Sequence, residues 1–321
     1  AGFSKQNGGA LRLVNIPILL LTGSLFSNNT ALAGCGGAIF YECDKECEWA
    51  LENLSAQPVT FLQNRAFLQG GAIAWSNFRP KFGKDDVAFE GNSSGSHYAS
   101  NISGPAYTMV KVENKEVSQV NMDEISPWSV SNFRSGSTIQ SLYYALVDTY
   151  GQVISTDSYS IAQVVPKAGT NEITLGGARQ VAKTGIFDFS SLTLTSPPTE
   201  NIQYLVYNPI IPSDVHYPVE YNSFNVTFRN CIVGEVHNHY TNECYICGSE
   251  LSENSPYAMT HRMYSLSTSD TQCSHCPKEA YCWGRDRIAP RQNYWRASRH
   301  SLKFLKCLNS EACLGATPGE D

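Results

Sequence analysis

Two stretches of this chain are written in the same frame. From Gly23 the sequence passes through Phe26, Asn29, Ala31 and Gly36-Gly37-Ala38-Ile39, and from Val59 it passes through Phe61, Asn64, Ala66 and Gly70-Gly71-Ala72-Ile73. The offset from Phe to the first Gly is ten residues in one copy and nine in the other. Partial copies flank the pair, Gly8-Gly9-Ala10-Leu11 before and Phe89-Glu90-Gly91-Asn92 after. A unit of this size cannot bury its own apolar face, so such units stack, side chain over like side chain, into one long core. The repeat predicts a coil of parallel strands with Phe26 over Phe61 and Ile39 over Ile73, about 4.8 Å apart per coil. The Asn after each Phe fits a corner that needs left-handed backbone or an amide ladder. The returns from Gly8 to Phe26, Gly36 to Phe61 and Gly70 to Phe89 take 18, 25 and 19 residues, so insertions fall on one side only. The longest return carries Cys43, Cys47 and Asn53 and is read as a disulfide-pinned, exposed excursion.

The "FxxN" and "GGAI" elements resemble the short repeats of bacterial polymorphic outer membrane proteins and of right-handed parallel β-helix surface proteins. The resemblance covers residues 1–104 and implies an elongated extracellular scaffold, used for adhesion or as a receptor ectodomain. Catalysis does not follow from it. β-Helix lyases and hydrolases gather acidic residues from neighbouring coils into one cleft, as base, acid or Ca2+ ligands. Here the acids cluster in the excursion (Glu42, Asp44, Glu46, Glu48, Glu52) or stand apart (Asp85, Asp86, Glu90), and none recurs in register with the coil.

With 321 residues, 42% of them hydrophobic and only 16% charged, the chain has enough apolar surface for a large core and two or three domains. Thr, Val, Ile, Tyr and Phe runs and the scarcity of 3.6-residue periodicity place it in the all-β class. Eleven cysteines and five Asn-x-Ser/Thr sequons, at Asn28, Asn53, Asn92, Asn101 and Asn225, point to an oxidising secretory route and an extracellular or cell-surface location. The apolar run at residues 16–23 is too short to span a membrane and reads as a buried strand. The chain opens inside an unfinished coil without a leader-like segment, which suggests an internal or processed piece of a longer protein. Membrane attachment, if any, would lie outside this segment.

The coil pattern decays after Asn92, where "ASNISGPAY" stands in place of the next Gly-Gly-Ala. From about residue 105 to 230 the texture changes to seven longer strands separated by turn signals such as Tyr150-Gly151 and Pro197-Pro198, as in a β-sandwich. The segments "ALVDTYGQVISTD" and "GIFDFSSLTLTSPP" resemble the Ig-like or filamin-like modules of large surface proteins. The cysteine pair and buried Trp of antibody domains are not present at the matching spacing.

Residues 231–321 hold eight cysteines, Cys231, Cys244, Cys247, Cys273, Cys276, Cys282, Cys307 and Cys313, an even number that suits four local bridges. The pair expected first is Cys231 with Cys244, closing a hairpin-sized loop. The odd set Cys35, Cys43 and Cys47 leaves one thiol free or paired with chain outside this segment. The tail resembles growth-factor-receptor and EGF-like cysteine-rich modules, with Arg262 in place of the usual Gly of "GxYS". In ciliate protists such modules follow β-helix repeats in large multidomain surface proteins, and the order coil, sandwich, cysteine-rich tail resembles theirs. The competing reading of Cys244-x-x-Cys247 and Cys273-x-x-Cys276 is a structural zinc site, with His237, His239 and His275 as spare ligands. Oxidising surroundings and the further cysteines favour disulfides and no metal. The His-x-His pair reads as a solvated loop.

Between Trp283 and Lys306 seven basic residues (Arg285, Arg287, Arg291, Arg296, Arg299, Lys303, Lys306) face one acid, Asp286, in a chain of net charge −6. The preferred reading is a solvated edge whose Arg stems cover a small core. The functional expectation is a non-enzymatic structural or adhesion segment that contacts other copies of itself, other surface proteins or glycans. No catalytic residue, cofactor or nucleic acid is expected. A ligand-binding receptor ectodomain and, behind it, a carbohydrate-active β-helix enzyme are the alternatives.

Overall fold

The structure is a computed structural model that describes the chain except at residues 45–47, 53–57, 78, 84, 97, 168–173, 212–221, 250–261 and 317–321. Its first hundred residues wind as a parallel β-helix of four coils. The first contains β1 (Phe3–Ser4), β2 (Leu11–Val14) and β3 (Ile18–Thr22). The second contains β4 (Leu25–Ser27), β5 (Thr30–Ala31), β6 (Ile39–Glu42) and β7 (Glu48–Glu52). The third contains β8 (Val59–Leu62), β9 (Arg65–Ala66) and β10 (Ile73–Ser76), and the fourth β11 (Val87–Glu90), β12 (Ser93–Ser94) and β13 (Ile102–Ser103). Strands from successive coils pair in parallel on three faces, β1-β5-β9-β12, β2-β6-β10-β13 and β4-β8-β11. The repeat sets the register: Phe26 lies opposite Phe61 and Phe61 opposite Phe89, while Leu11, Ile39, Ile73 and Ile102 form one continuous row. The Phe rings stack with centres 5.1 and 5.4 Å apart. That spacing follows the inter-strand distance of a parallel ladder.

Two adjacent residues divide the work at the corner after each Phe. Asn28, Gln63 and Gly91 take the left-handed backbone, with φ of 55°, 52° and 60°. The next residue, Asn29, Asn64 or Asn92, turns inward and builds an amide ladder along the coil axis. Asn64 Oδ1 accepts from the backbone N and Nδ2 of Asn29, at 3.0 and 2.9 Å, and Asn92 Oδ1 accepts from the same two groups of Asn64, at 2.9 and 3.0 Å. Each Nδ2 also donates to the preceding coil's Phe carbonyl, Asn64 to Phe26 and Asn92 to Phe61, both at 2.9 Å. The buried corner thus has its polar groups paired.

The Gly pairs are required for two separate reasons. The first Gly has positive φ, 72° at Gly8, 69° at Gly36 and 66° at Gly70. The second lies against the next coil, so that a Cβ on Gly37 would meet the Gly71 carbonyl oxygen at 2.0 Å and one on Gly71 would meet that of Ser100 at 2.1 Å. In the fourth coil Ala99 and Ser100 occupy these places, Ala99 keeping φ of 53°. Among the described residues no fifth coil follows to crowd Ser100. The coil therefore runs on through Ile102, which lies on Ile73, within the expected span of residues 1–104 although its Gly-Gly-Ala pattern decays after Asn92.

Two expectations are corrected in the coil. The run at residues 16–23 is only half-buried: Leu19 and Leu21 pack on the core, while Ile18 and Leu20 face outward, 73% and 50% exposed. The long excursion is not all loop, because β7 returns to pair in parallel with β3 and gives these two coils a fourth side. Cys43 is buried and disulfide-bonded. Cys47 and Asn53 lie outside the described residues.

The next strands are β14 (Ala106–Val112), β15 (Trp128–Phe133), β16 (Ser137–Thr138), β17 (Tyr143–Asp148), β18 (Ile161–Pro166), β19 (Thr174–Gly176), β20 (Arg179–Val181), β21 (Ile186–Asp188), β22 (Thr193–Thr195), β23 (Asn201–Tyr207) and β24 (Ser223–Phe228). They form a sandwich. The sheet β14-β17-β21 faces the sheet β15-β24-β23-β18-β20 across a core that includes Tyr144, Leu146, Phe187, Tyr204 and Phe224, and the small sheet β16-β22-β19 adds Leu194 to it. The run at residues 143–147 is apolar without alternation because β17 is covered on both sides. Tyr144 and Leu146 point into the sandwich, while Ala145 and Val147 pack under Val117, Val120 and Met122 of the β14–β15 connection.

The tail is a chain of small hairpins, β25 (Glu235–Asn238) with β26 (Glu243–Ile246), β27 (Ala280–Gly284) with β28 (Arg287–Pro290), and β29 (Tyr294–Trp295) with β30 (Leu305–Lys306). Its own core is little more than Tyr264, Ala280, Cys282 and Ile288. Four disulfides close it: Cys231–Cys244, Cys247–Cys273, Cys276–Cys282 and Cys307–Cys313.

Candidate interaction surfaces

The described acids of the coil do not converge. Glu42 ends β6 and Glu90 ends β11, on different faces. Glu42 meets Arg12 at 3.9 Å, Asp44 accepts from Asn15 Nδ2 at 3.1 Å, and Asp86 accepts from the Gly83 backbone N. Paired carboxylates flanking a cleft, as glycoside chemistry needs, are not found among the described residues of the coil.

The edge of the coil that no other described strand covers has a different character. β1, β2 and β4 are the terminal strands of their sheets. Phe3 and Ile18 on the first coil and Leu25 at the start of the second are 74%, 73% and 65% exposed. A row of unpaired backbone groups beside exposed apolar side chains is a template for adding strands.

The other end of the coil is covered by the sandwich, through contacts that sequence reading missed. Tyr98 of the fourth coil donates its hydroxyl to Asp148 Oδ2 at 3.0 Å. Asp148, fully buried at the end of β17, also accepts from the backbone N of Tyr150 and of Gln152 and from Gln152 Nε2, at 2.9, 3.1 and 3.0 Å. Gln152 Nε2 reaches the Ile102 carbonyl at 2.8 Å as well, which ties the last coil strand to the sandwich. Trp75 meets Tyr150 edge to face, and the Arg79 guanidinium lies 4.5 Å from the centre of the Tyr150 ring. Burial raises the Asp148 carboxyl above its usual range against the pull of its hydrogen bonds, and pushes the Tyr150 hydroxyl up to about 12.

A second joint links sandwich and tail. Arg229, just beyond β24, makes two parallel hydrogen bonds of 2.8 Å to Glu235, a bidentate fork that fixes orientation as well as charge. Burial raises the Glu235 carboxyl, but the Arg229 fork and the Ile232 backbone N outweigh it and leave the group below its usual range. The backbone N of Cys244 donates to the Ser135 carbonyl at 3.1 Å beside this pair. Cys231, Glu235 and Cys244 bring their ligand atoms together within 4.8 Å, yet the two sulfurs are bonded to each other and the carboxylate is held by Arg229. The four thiols of the two Cys-x-x-Cys pairs are each taken by a disulfide, and neither pair closes on itself.

The basic stretch is an edge whose stems cover rings. Arg291 lies 4.9 Å from the Tyr281 ring centre and Arg296 5.8 Å from that of Phe304. Burial and the neighbouring Arg299 lower the Arg296 guanidinium. The solvated-loop expectation holds for His239, exposed in the turn after β25, and fails for His237, which is on the strand and meets His239 with ring centres 4.5 Å apart. Burial and His239 lower the His237 imidazole.

Cys35 is the odd thiol of the head set, and it is free. It precedes Gly36, with its backbone N held by Asn7 Oδ1 at 2.8 Å. β6 runs between it and Cys43, about 13 Å of extended chain, beyond the roughly 7 Å that a bridge can span. Burial raises this thiol. Of the sequon residues, Asn28 and Asn101 are exposed and Asn225 is half-buried on β24, while the Asn92 amide is committed to the ladder.

Residues 23–42, which span β4 to β6, match the family model of the Chlamydia polymorphic membrane protein repeat. Comparison with curated proteins and with solved structures returns no match.

Proposed function

We propose that this chain is a non-enzymatic segment of an extracellular surface protein and that it works by making contacts at the uncovered edge of its coil. The observation that carries the reading is the edge formed by β1, β2 and β4, the terminal strands of three sheets, with Phe3 and Leu25 exposed on two of them. A repeat of the polymorphic membrane protein kind on the coil supports a surface location. Four disulfides in the tail support an oxidising one. In this reading the coil is continued at β1, β2 and β4 by further coils of a longer chain or by a second copy, and the sandwich and tail hold that end away from the surface that bears it. The sandwich is assigned to the Ig-like class and the tail to the EGF-like or growth-factor-receptor class. Asn28 and Asn101 are the glycan sites, because both are exposed.

The test is self-association. Purified chain, measured by light scattering and crosslinking, should form dimers or larger assemblies through the first coil, and Leu20→Lys with Leu25→Lys should return it to monomer. A chain that stays monomeric at millimolar concentration and captures no surface protein, or one that cleaves a polysaccharide with turnover, would overturn the reading.

A further inference from the structure

Three of the seven histidines line one open cleft of about 480 Å³ in the tail. His237 sits on β25 opposite Cys244 of β26, and His239 follows two residues later with its ring against it, 4.5 Å between centres and 75° between planes. Nε2 of His237 is shut off from solvent and has no hydrogen-bond partner. A buried polar atom without a partner calls for an explanation. His275, between Cys273 and Cys276, lines the same cleft. Among the described residues no carboxylate, lysine or arginine lines the cleft.

We propose that this cleft binds a divalent transition-metal ion of the zinc and copper class, with His237 and His239 as the chelating pair and His275 as the third ligand. The donor set chooses the metal. Imidazole suits zinc, copper and nickel, whereas calcium and magnesium demand oxygen ligands that the cleft does not supply. Two imidazoles on one ion, each bonded at about 2.1 Å, place their ring centres roughly 5 Å apart. The 4.5 Å between His237 and His239 is already close to that distance. The ligand nitrogens of all three histidines are not yet within 4.8 Å of one another, so the exposed His275 side chain must rotate inward to complete the set.

The backbone that carries these side chains is fixed by covalent bonds. Cys231–Cys244 locks the hairpin across from His237, and Cys247–Cys273 and Cys276–Cys282 pin the chain on both sides of His275. The thiols that a four-cysteine zinc site would use are spent in those bridges. The oxidised protein is therefore the form that binds, and water fills the remaining coordination positions.

The test uses the oxidised full chain, stripped with chelator and titrated calorimetrically with ZnCl2, CuCl2 and CaCl2. One zinc or copper ion per chain, no calcium, and a loss of at least about tenfold in affinity in His239→Ala and in His275→Ala are expected. Both side chains are exposed, so these variants keep the fold, and His300→Ala, outside the cleft, serves as the unaffected control. Absence of zinc and copper binding at about 100 μM metal, well above the affinities of protein zinc sites, or binding unchanged in the double variant His239→Ala/His275→Ala, would overturn the proposal.

Discussion

In the coil, Asn29 meets Asn64 across 35 residues because every turn repeats the one before it. In the tail, neighbours are made by bonds that close 6, 13 or 26 residues of chain and repeat nothing. Both regions are built from strands of two to five residues, which have little stability singly. The coil overcomes this by adding identical rows until Phe26, Phe61 and Phe89 share one core. The tail, with four residues in its buried cluster, gains most of its order by restricting the unfolded chain. Periodicity and crosslinking are thus two ways to stabilise short strands, and they fail under different insults.

The largest effect should come from reduction. Removing all four tail bridges should unfold the tail while the coil and sandwich keep their amide protection, each medium-sized loop losing about 3 kcal/mol of closure. Hydrogen exchange on a variant lacking the eight tail cysteines reads this directly, since reductant would also open the Cys43 bridge of the coil. Equal loss of protection in the coil would show that the two regions are not separately stabilised.

Next is the ladder. Asn64→Leu leaves the backbone N and Nδ2 of Asn29 and the Phe26 carbonyl without their buried partner, and should cost about 3 kcal/mol in chemical denaturation. A smaller effect is expected at the Gly pairs. Gly37→Ala places a methyl 2.0 Å from a carbonyl oxygen of the next coil and should cost about 2 kcal/mol. Gly176→Ala in the sandwich, where the nearest atom is Thr193 Cβ at 3.5 Å, should stay within about 0.5 kcal/mol.

The smallest effect separates the two joints by pH. The Glu235 carboxyl is lowered in the fold, so its contribution is present above the unfolded value of about 4.3 and is lost as pH falls through the folded value. The Asp148 carboxyl is raised, so its contribution is present below about 3.9 and is lost as pH rises through the folded value. Acidification should loosen the joint between sandwich and tail before the joint between coil and sandwich. Glu235→Gln should flatten the acid limb of thermal stability, and an unchanged limb would assign it to other carboxylates.

The coil was legible from sequence because stacking forces equal spacing, and the equal spacing of Phe26, Phe61 and the Gly pairs is visible without a structure. Its last turn was not, because the crowding that requires Gly at position 37 or 71 vanishes at Ser100, where no further coil follows among the described residues. The repeat ended in the sequence one turn before it ended in space. The sandwich has eleven strands among the described residues where seven were expected, because pieces as short as β16, β19 and β22 hold too few residues to show alternation. The bridge from Cys231 to Cys244 was open to inference from its short loop. The contact of Tyr98 with Asp148 spans 50 residues with no local motif, and nothing in either residue's neighbourhood marks the other. Three histidines facing one cleft were equally hidden, since His275 is brought to the others by disulfides whose pairing composition does not fix.

The parallel pair within the sandwich has a mechanical consequence. β15, the second strand after the coil, and β24, the last before the tail, run side by side in the same direction, from Trp128 beside Phe224 to Phe133 beside Phe228. A load carried between coil and tail drags the two strands along each other in opposite senses, so their hydrogen bonds share the force and must yield together. The antiparallel hairpins of the tail, pulled at their open ends, would instead unzip one bond at a time. Each of them is closed by a crosslink or lies beside one, which shortens the length that tension can draw out. A chain gripped at its two ends should therefore meet shear resistance at β15 and β24 once β14 has been drawn off β17.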